Sequence, residues 1–279
     1  MTWLLRFPRI SEKLISGCIT LACALLLAPK EMILLFIVVG QGHFVFAYLY
    51  RFKAKKVSRT LLVSYGAAVL VFAGGYLLTE DAVLLAAVTS LYFAWHMLSD
   101  ERHLMGGKAS LQGLLEILPA LVMLAAYELE HLYAIEGVGF AFGLSLVLWV
   151  ARLALASVHQ WKSDAISGYF AGAWLILAGL FLAGRRIPAD TLWGAIILYH
   201  YLNWYLSYGL RWVHKPERMR PYLRDVVLIN GLMCAGFILW RGGYATVLDA
   251  WFGQNAFYVW TCLHLVFTTR REDLGFLRA

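Results

Sequence analysis

Apolar residues run through this chain in blocks long enough to cross a bilayer, and the polar positions fall between the blocks. A membrane span needs about 20 predominantly apolar residues in helical conformation. Ten segments meet or approach that length: 14–29, 31–51, 60–79, 81–99, 110–127, 134–156, 165–184, 190–210, 224–240 and 246–269. Most are bounded by charge or by Gly and Pro punctuation. The first is short and ends at Pro29; no small-residue cleavage pattern follows, so it reads as a retained helix and not a signal peptide. The pattern predicts an all-α fold, a polytopic membrane bundle of about ten transmembrane helices in a single transmembrane domain over 1–279.

Composition agrees. Hydrophobic residues make up 61% of the 279 positions and charged residues 15%. Soluble domains carry about 25% charged residues, so a water-soluble globule is excluded, as are a disordered chain and a collagen. The formal net charge of +7 raises a nucleic-acid-binding reading. Its distribution removes that reading. With the N-terminus cytoplasmic, all of the 24 Lys and Arg except Lys30, Arg185, Arg186 and Arg241 fall on the cytoplasmic side of the ten spans. Such a bias sets orientation and places both termini inside. The basic excess then reflects topology and contact with anionic membrane lipid, with no nucleic acid as partner.

Ionisable side chains at membrane depth are costly, which makes them functional candidates. Of the eight histidines, His103, His131, His159 and His214 fall in loops or at boundaries. His43, His96, His200 and His264 fall inside spans 2, 4, 8 and 10, which all run from outside to inside. They precede Arg51, Arg102, Arg211 and Arg270 by distances that put all four imidazoles about 9–17 Å inside the cytoplasmic boundary, at about 1.5 Å per residue. Four histidines on four helices at one level make the pattern of an intramembrane metal site. Burial favours the neutral imidazole, which is also the ligand form for Fe, Zn and Cu.

Two carboxylates accompany them. Glu116 lies in span 5, and Asp100 lies four residues after His96 on the same helix face. Either can accept a ligand histidine's second N–H and so orient the ring. Glu101, Asn203 and Asn230 are further polar neighbours. The plain alternative is that these groups are interhelical hydrogen-bonding glue, with Tyr48, Tyr92, Trp95, Tyr199, Tyr201, Trp204 and Trp260 as interfacial belt residues. Cys18, Cys23, Cys234 and Cys262 lie in spans without metal-binding spacing and read as small apolar residues.

No HxxxH, HExxH or Walker-type motif occurs, which removes the usual desaturase, zinc-protease and ATP-driven signatures. The order of the buried histidines does resemble a known group. Val39-Gly40-Gln41-Gly42-His43, His96-Met97-Leu98-Ser99-Asp100-Glu101, Tyr199-His200-Tyr201-Leu202-Asn203-Trp204 and Leu263-His264-Leu265 are similar to motifs of the Brp/Blh-type bacterial membrane β-carotene 15,15′-dioxygenases. Two departures stand out. Phe44-Val45-Phe46-Ala47 replaces a continuation to an acidic residue, and Trp204 stands where that family has a second histidine, so that ligand is lost here or supplied by His264.

The resemblance implies a bacterial inner-membrane, non-haem Fe(II) oxygenase. It would act with O2 on a lipophilic substrate such as a carotenoid, isoprenoid or fatty chain, with metal on His43, His96, His200 and His264. Two other readings stay open. Pairs of histidines are also axial ligands of haem b in electron-transfer proteins, and buried His and Glu also serve a proton-coupled transporter or a small-molecule-binding membrane protein.

Overall fold

The structure, a computed structural model, describes residues 8–53, 59, 62–64, 66, 67, 70, 71, 74, 96, 97, 111–134, 136–158, 165–184 and 189–268. Among these, 91% are helical and none lies in a strand, so the all-α class holds. The helices are α1 (Pro8–Leu26), α2 (Pro29–Lys53), α3 (Leu111–Tyr133), α4 (Val138–Val158), α5 (Ala165–Leu182), α6 (Ala189–Trp212) and α7 (Pro216–Arg241). A 3-10 turn (Thr246–Leu248), the one-turn α8 (Asp249–Phe252) and α9 (Gln254–Thr268) follow. The predicted spans 60–79 and 81–99 lie largely outside the described residues.

Two local devices shape this order. Proline at the first helical position gives up an N–H that has no intrahelical partner anyway, and its fixed φ suits a helix start. Pro29 therefore opens α2, and the Glu31 carboxylate accepts from the Ala28 N–H at 2.8 Å to cap it. The second device interrupts the predicted span 246–269. Gly253 is extended (φ −61, ψ 150) between α8 and α9. A Cβ there would lie 2.7 Å from the Asp249 carbonyl oxygen, so the turn needs a residue without a side chain. Indole N–H groups brace the break, Trp240 donating to the Asp249 carboxylate and Trp260 to the Ala250 carbonyl.

Among the described residues, three helices are long and apolar enough to cross a membrane, over Lys30–Lys53, Val138–Val158 and Pro216–Arg241. Shorter apolar helices cover Ile15–Leu26, Ile117–Tyr127 and Gly168–Leu182. α4 and α7 expose much of their apolar surface: Phe140 is 79% exposed and Val227 69%, with Val147, Val150, Leu153, Leu232 and Ile238 also exposed. Hydrated protein surfaces do not carry apolar exposure on this scale, whereas surfaces that face lipid or a partner do.

The chain forms two compact units, one of Met1–Phe36 with Glu101–Met219 and one of Ile37–Asp100 with Arg220–Ala279. In the first, α1 packs on α5 and α6, and α3 packs on α4 and α5. Its core holds Met123, Tyr169, Ile176, Leu180, Leu192 and Tyr199. In the second, the core holds Phe44, Tyr222, Phe237, Phe252, Cys262 and Leu263. Lys13 and Arg152 belong to the cytoplasmic set by sequence, yet both lie inside helices and are buried, with the Arg152 guanidinium 5.6 Å from the Trp149 ring centre.

Candidate functional site

Three of the four candidate histidines meet in the second unit. His43 (on α2), His96 and His264 (on α9) are 2%, 4% and 1% exposed. The His43 and His264 ring centres are 5.0 Å apart and those of His96 and His264 are 5.3 Å apart. Aromatic rings enclose the group. Phe44 stacks on His264 at 4.5 Å, Tyr48 meets the same ring edge-on at 6.3 Å, and Tyr48 also packs against Phe267.

The sequence around His43 locks it in register. Gln41 donates to the Trp251 carbonyl at 2.9 Å, tying α2 to α8. Gly42 lets Asn230 of α7 approach its backbone; a Cβ at 42 would lie 2.5 Å from the Asn230 Oδ1. Arg51, two turns further along α2, donates to the Phe267 carbonyl at the end of α9. The segment carrying His43 is thus held to its neighbours on both sides of the ring.

Thr268 bridges two of the histidines. Its hydroxyl donates to the His264 carbonyl at 2.8 Å, which uses its one proton. The Thr268 Oγ1 also lies 3.3 Å from His96 Nδ1, where, with its proton on the His264 carbonyl, it accepts from the tautomer that carries hydrogen on Nδ1. The lone pair of His96 is then on Nε2, the tautomer that a ligand histidine adopts when a partner holds its other nitrogen. Thr268 is a site residue that sequence reasoning missed. Its signal was there: it follows His264 by four residues and so shares its helix face.

A shared metal ion would impose a defined spacing on the three rings. A ring centre sits about 3.2 Å from a metal bound at about 2.1 Å, so two imidazoles on one ion lie about 4.6–5.3 Å apart at octahedral or tetrahedral angles. The observed 5.0 and 5.3 Å match that spacing. Two axial haem ligands would lie about 6.4 Å apart across the iron, which the His43–His264 pair does not. Donor type, burial and ring spacing therefore suit a shared ion. Among the described residues, however, no three His, Cys, Asp or Glu side chains are placed together to hold a metal.

His200, fully buried, belongs to the first unit, where its Nδ1 is 3.5 Å from the Tyr169 hydroxyl and its ring packs on Tyr201. Glu116 sits on α3, in the first unit, and its side chain is outside the described residues, as are Asp100 and Glu101 entirely. Asn203 is in the first unit and Asn230 in the second, beside Gly42. Comparison with known proteins found no match to a protein family, a curated protein or a solved structure.

Proposed function

We propose that the chain is a membrane-embedded, metal-dependent oxygenase acting on a lipophilic substrate, with His43, His96 and His264 as protein ligands. One observation carries the reading: the buried rings of His43 and His96, from segments far apart in sequence, lie 5.0 and 5.3 Å from that of His264, within the ring spacing of a shared ion. Neutral nitrogen donors suit Fe(II), and three of them leave coordination positions open for O2. When bound, the ion supplies dioxygen activation. The chain's own residues do the rest. Thr268 is placed to accept from His96 Nδ1 and so leave Nε2 as the ligand nitrogen, and Phe44 stacks on the His264 ring. The same apolar surround suits a carotenoid, isoprenoid or fatty chain entering from lipid.

The wider topology belongs to this proposal. Ten spans and both termini cytoplasmic are supported by the apolar blocks and by the asymmetry of the basic residues, which survives setting Lys13 and Arg152 aside, while residence in a bacterial inner membrane rests on the motif resemblance alone. The test is oxygen uptake by the purified chain in lipid vesicles loaded with Fe(II) and a carotenoid. Uptake that requires the polyene and disappears in His264→Ala supports the reading. Uptake equal in the variant and the native chain refutes it.

A further inference from the structure

The junction of α2 and α7 in the second unit carries cations that the histidine site does not use. Asp225, buried on α7, accepts from Lys53 at the end of α2 at 2.9 Å, from Arg224 at 2.8 Å and from the Tyr50 hydroxyl at 3.3 Å. One carboxylate thus holds both cationic heads side by side, yet the Lys53 and Arg224 side chains stay 50% and 64% exposed. Arg220, one turn before Arg224, is exposed as well. The acidic residues of α7 are Glu217, in its first turn, and Asp225; Arg218, Arg220, Arg224 and Lys53 outnumber them.

The same side of α7 then turns apolar. Positions 220, 224, 227, 231 and 238 follow one another at helical spacings of three, four and seven, and so lie along one face. Val227 and Ile238 are 69% and 59% exposed, and a Cβ added at Gly231 between them would meet nothing within 4 Å. The face ends near Arg241, about 32 Å from Arg220 at about 1.5 Å per residue, which matches the thickness of a hydrocarbon core. Arg220 and Arg224 therefore stand at headgroup level when the stripe stands in lipid. A nucleic acid would match the cations but not the stripe, and a free phosphate needs no stripe. An anionic phospholipid matches both, with its phosphate at the cations and an acyl chain on the apolar face.

We propose that Lys53, Arg220 and Arg224 bind the headgroup of an anionic phospholipid whose acyl chain lies along Val227 and Gly231. The inference rests on the membrane-embedded reading of the chain and is independent of the metal. Asp225 does not exhaust its partners. Arg224 spends its Nε–H and one Nη2–H on the carboxylate, and a guanidinium has five N–H donors, so others remain to meet a phosphate oxygen. A zwitterionic lipid offers the same phosphate with a quaternary ammonium that these cations repel, so the site selects net negative charge.

Native mass spectrometry tests it, on the full chain released from non-ionic detergent micelles doped with phosphatidylglycerol or with phosphatidylcholine. The native chain should retain phosphatidylglycerol in preference. Each cation beside a headgroup contributes a factor of about five, so Arg220→Gln should weaken that binding about fivefold and the Lys53→Gln/Arg220→Gln pair about 20-fold. Arg220 is exposed, so its replacement leaves the core intact, and Arg220→Lys should keep most of the binding. Arg241→Gln, at the far end of α7, should change little. His264→Ala should bind the lipid as the native chain does, which separates this claim from the metal site. Equal retention of the two lipids overturns the proposal, as does a preference that survives the double replacement or falls equally in Arg241→Gln. Displacement of the lipid by millimolar inorganic phosphate marks a free-anion site and overturns it too.

Discussion

Replacing Gly42 by Ala tests the packing that sets His43. The new methyl would lie 2.5 Å from Asn230 Oδ1 and 3.1 Å from Asn230 Cγ. The amide is tethered, because its Nδ2 donates to the Val226 carbonyl at 2.9 Å. Overpacking of this kind costs about 1–3 kcal/mol. Displacing the amide forfeits about 1 kcal/mol more, while the gain in helix propensity from Gly to Ala returns about 1 kcal/mol. The expected net loss is about 1–3 kcal/mol. Gly143→Ala on α4 is the control, since nothing lies within 4 Å of the Cβ it would add; it should be neutral or slightly stabilising. Equilibrium unfolding in mixed detergent micelles reads both. In the Asn230→Ala background the obstacle is gone and only the propensity gain is left, so the pair should show a coupling of about 2–4 kcal/mol. A Gly42→Ala chain as stable as Gly143→Ala, or an additive double variant, refutes the reasoning.

Thr268→Val removes the acceptor at His96 Nδ1 while keeping the side chain's shape, and should weaken metal binding about 10–100-fold, as loss of an orienting partner does elsewhere. Chelator competition measures it; unchanged affinity removes Thr268 from the account. Asp225 accepts from Lys53 at 2.9 Å, Arg224 at 2.8 Å and Tyr50 at 3.3 Å. Both cations are at least half exposed, so Asp225→Asn should cost only about 1 kcal/mol. High salt should narrow the difference between the two chains; a gap indifferent to salt places the effect in packing rather than charge.

Helices were legible because apolar blocks and their punctuation are local. Residues 31–51 were expected as a span and form the heart of α2; 165–184 and 190–210 correspond closely to α5 and α6. The break at Gly253 was not legible, since one glycine in an apolar run reads as tolerated and the close approach to the Asp249 carbonyl exists only once the chain has turned. Depth could be counted from the sequence, but lateral position could not. The count set four histidines at one level without saying which helices adjoin, and the structure brings His43, His96 and His264 together through contacts that no spacing encodes. Lys13 misled for a related reason. A Glu-Lys pair ahead of an apolar block looks like a loop. The polar series Lys13, Ser16 and Thr20, spaced three and four apart, marked instead a face of α1 that is buried.

Metal analysis of the purified chain addresses the central claim most directly. The account predicts about one transition-metal ion per chain after loading with Fe(II), retained through gel filtration and lost in His43→Ala, His96→Ala and His264→Ala alike. A folded native chain that retains no metal, or one whose metal survives all three replacements, contradicts it.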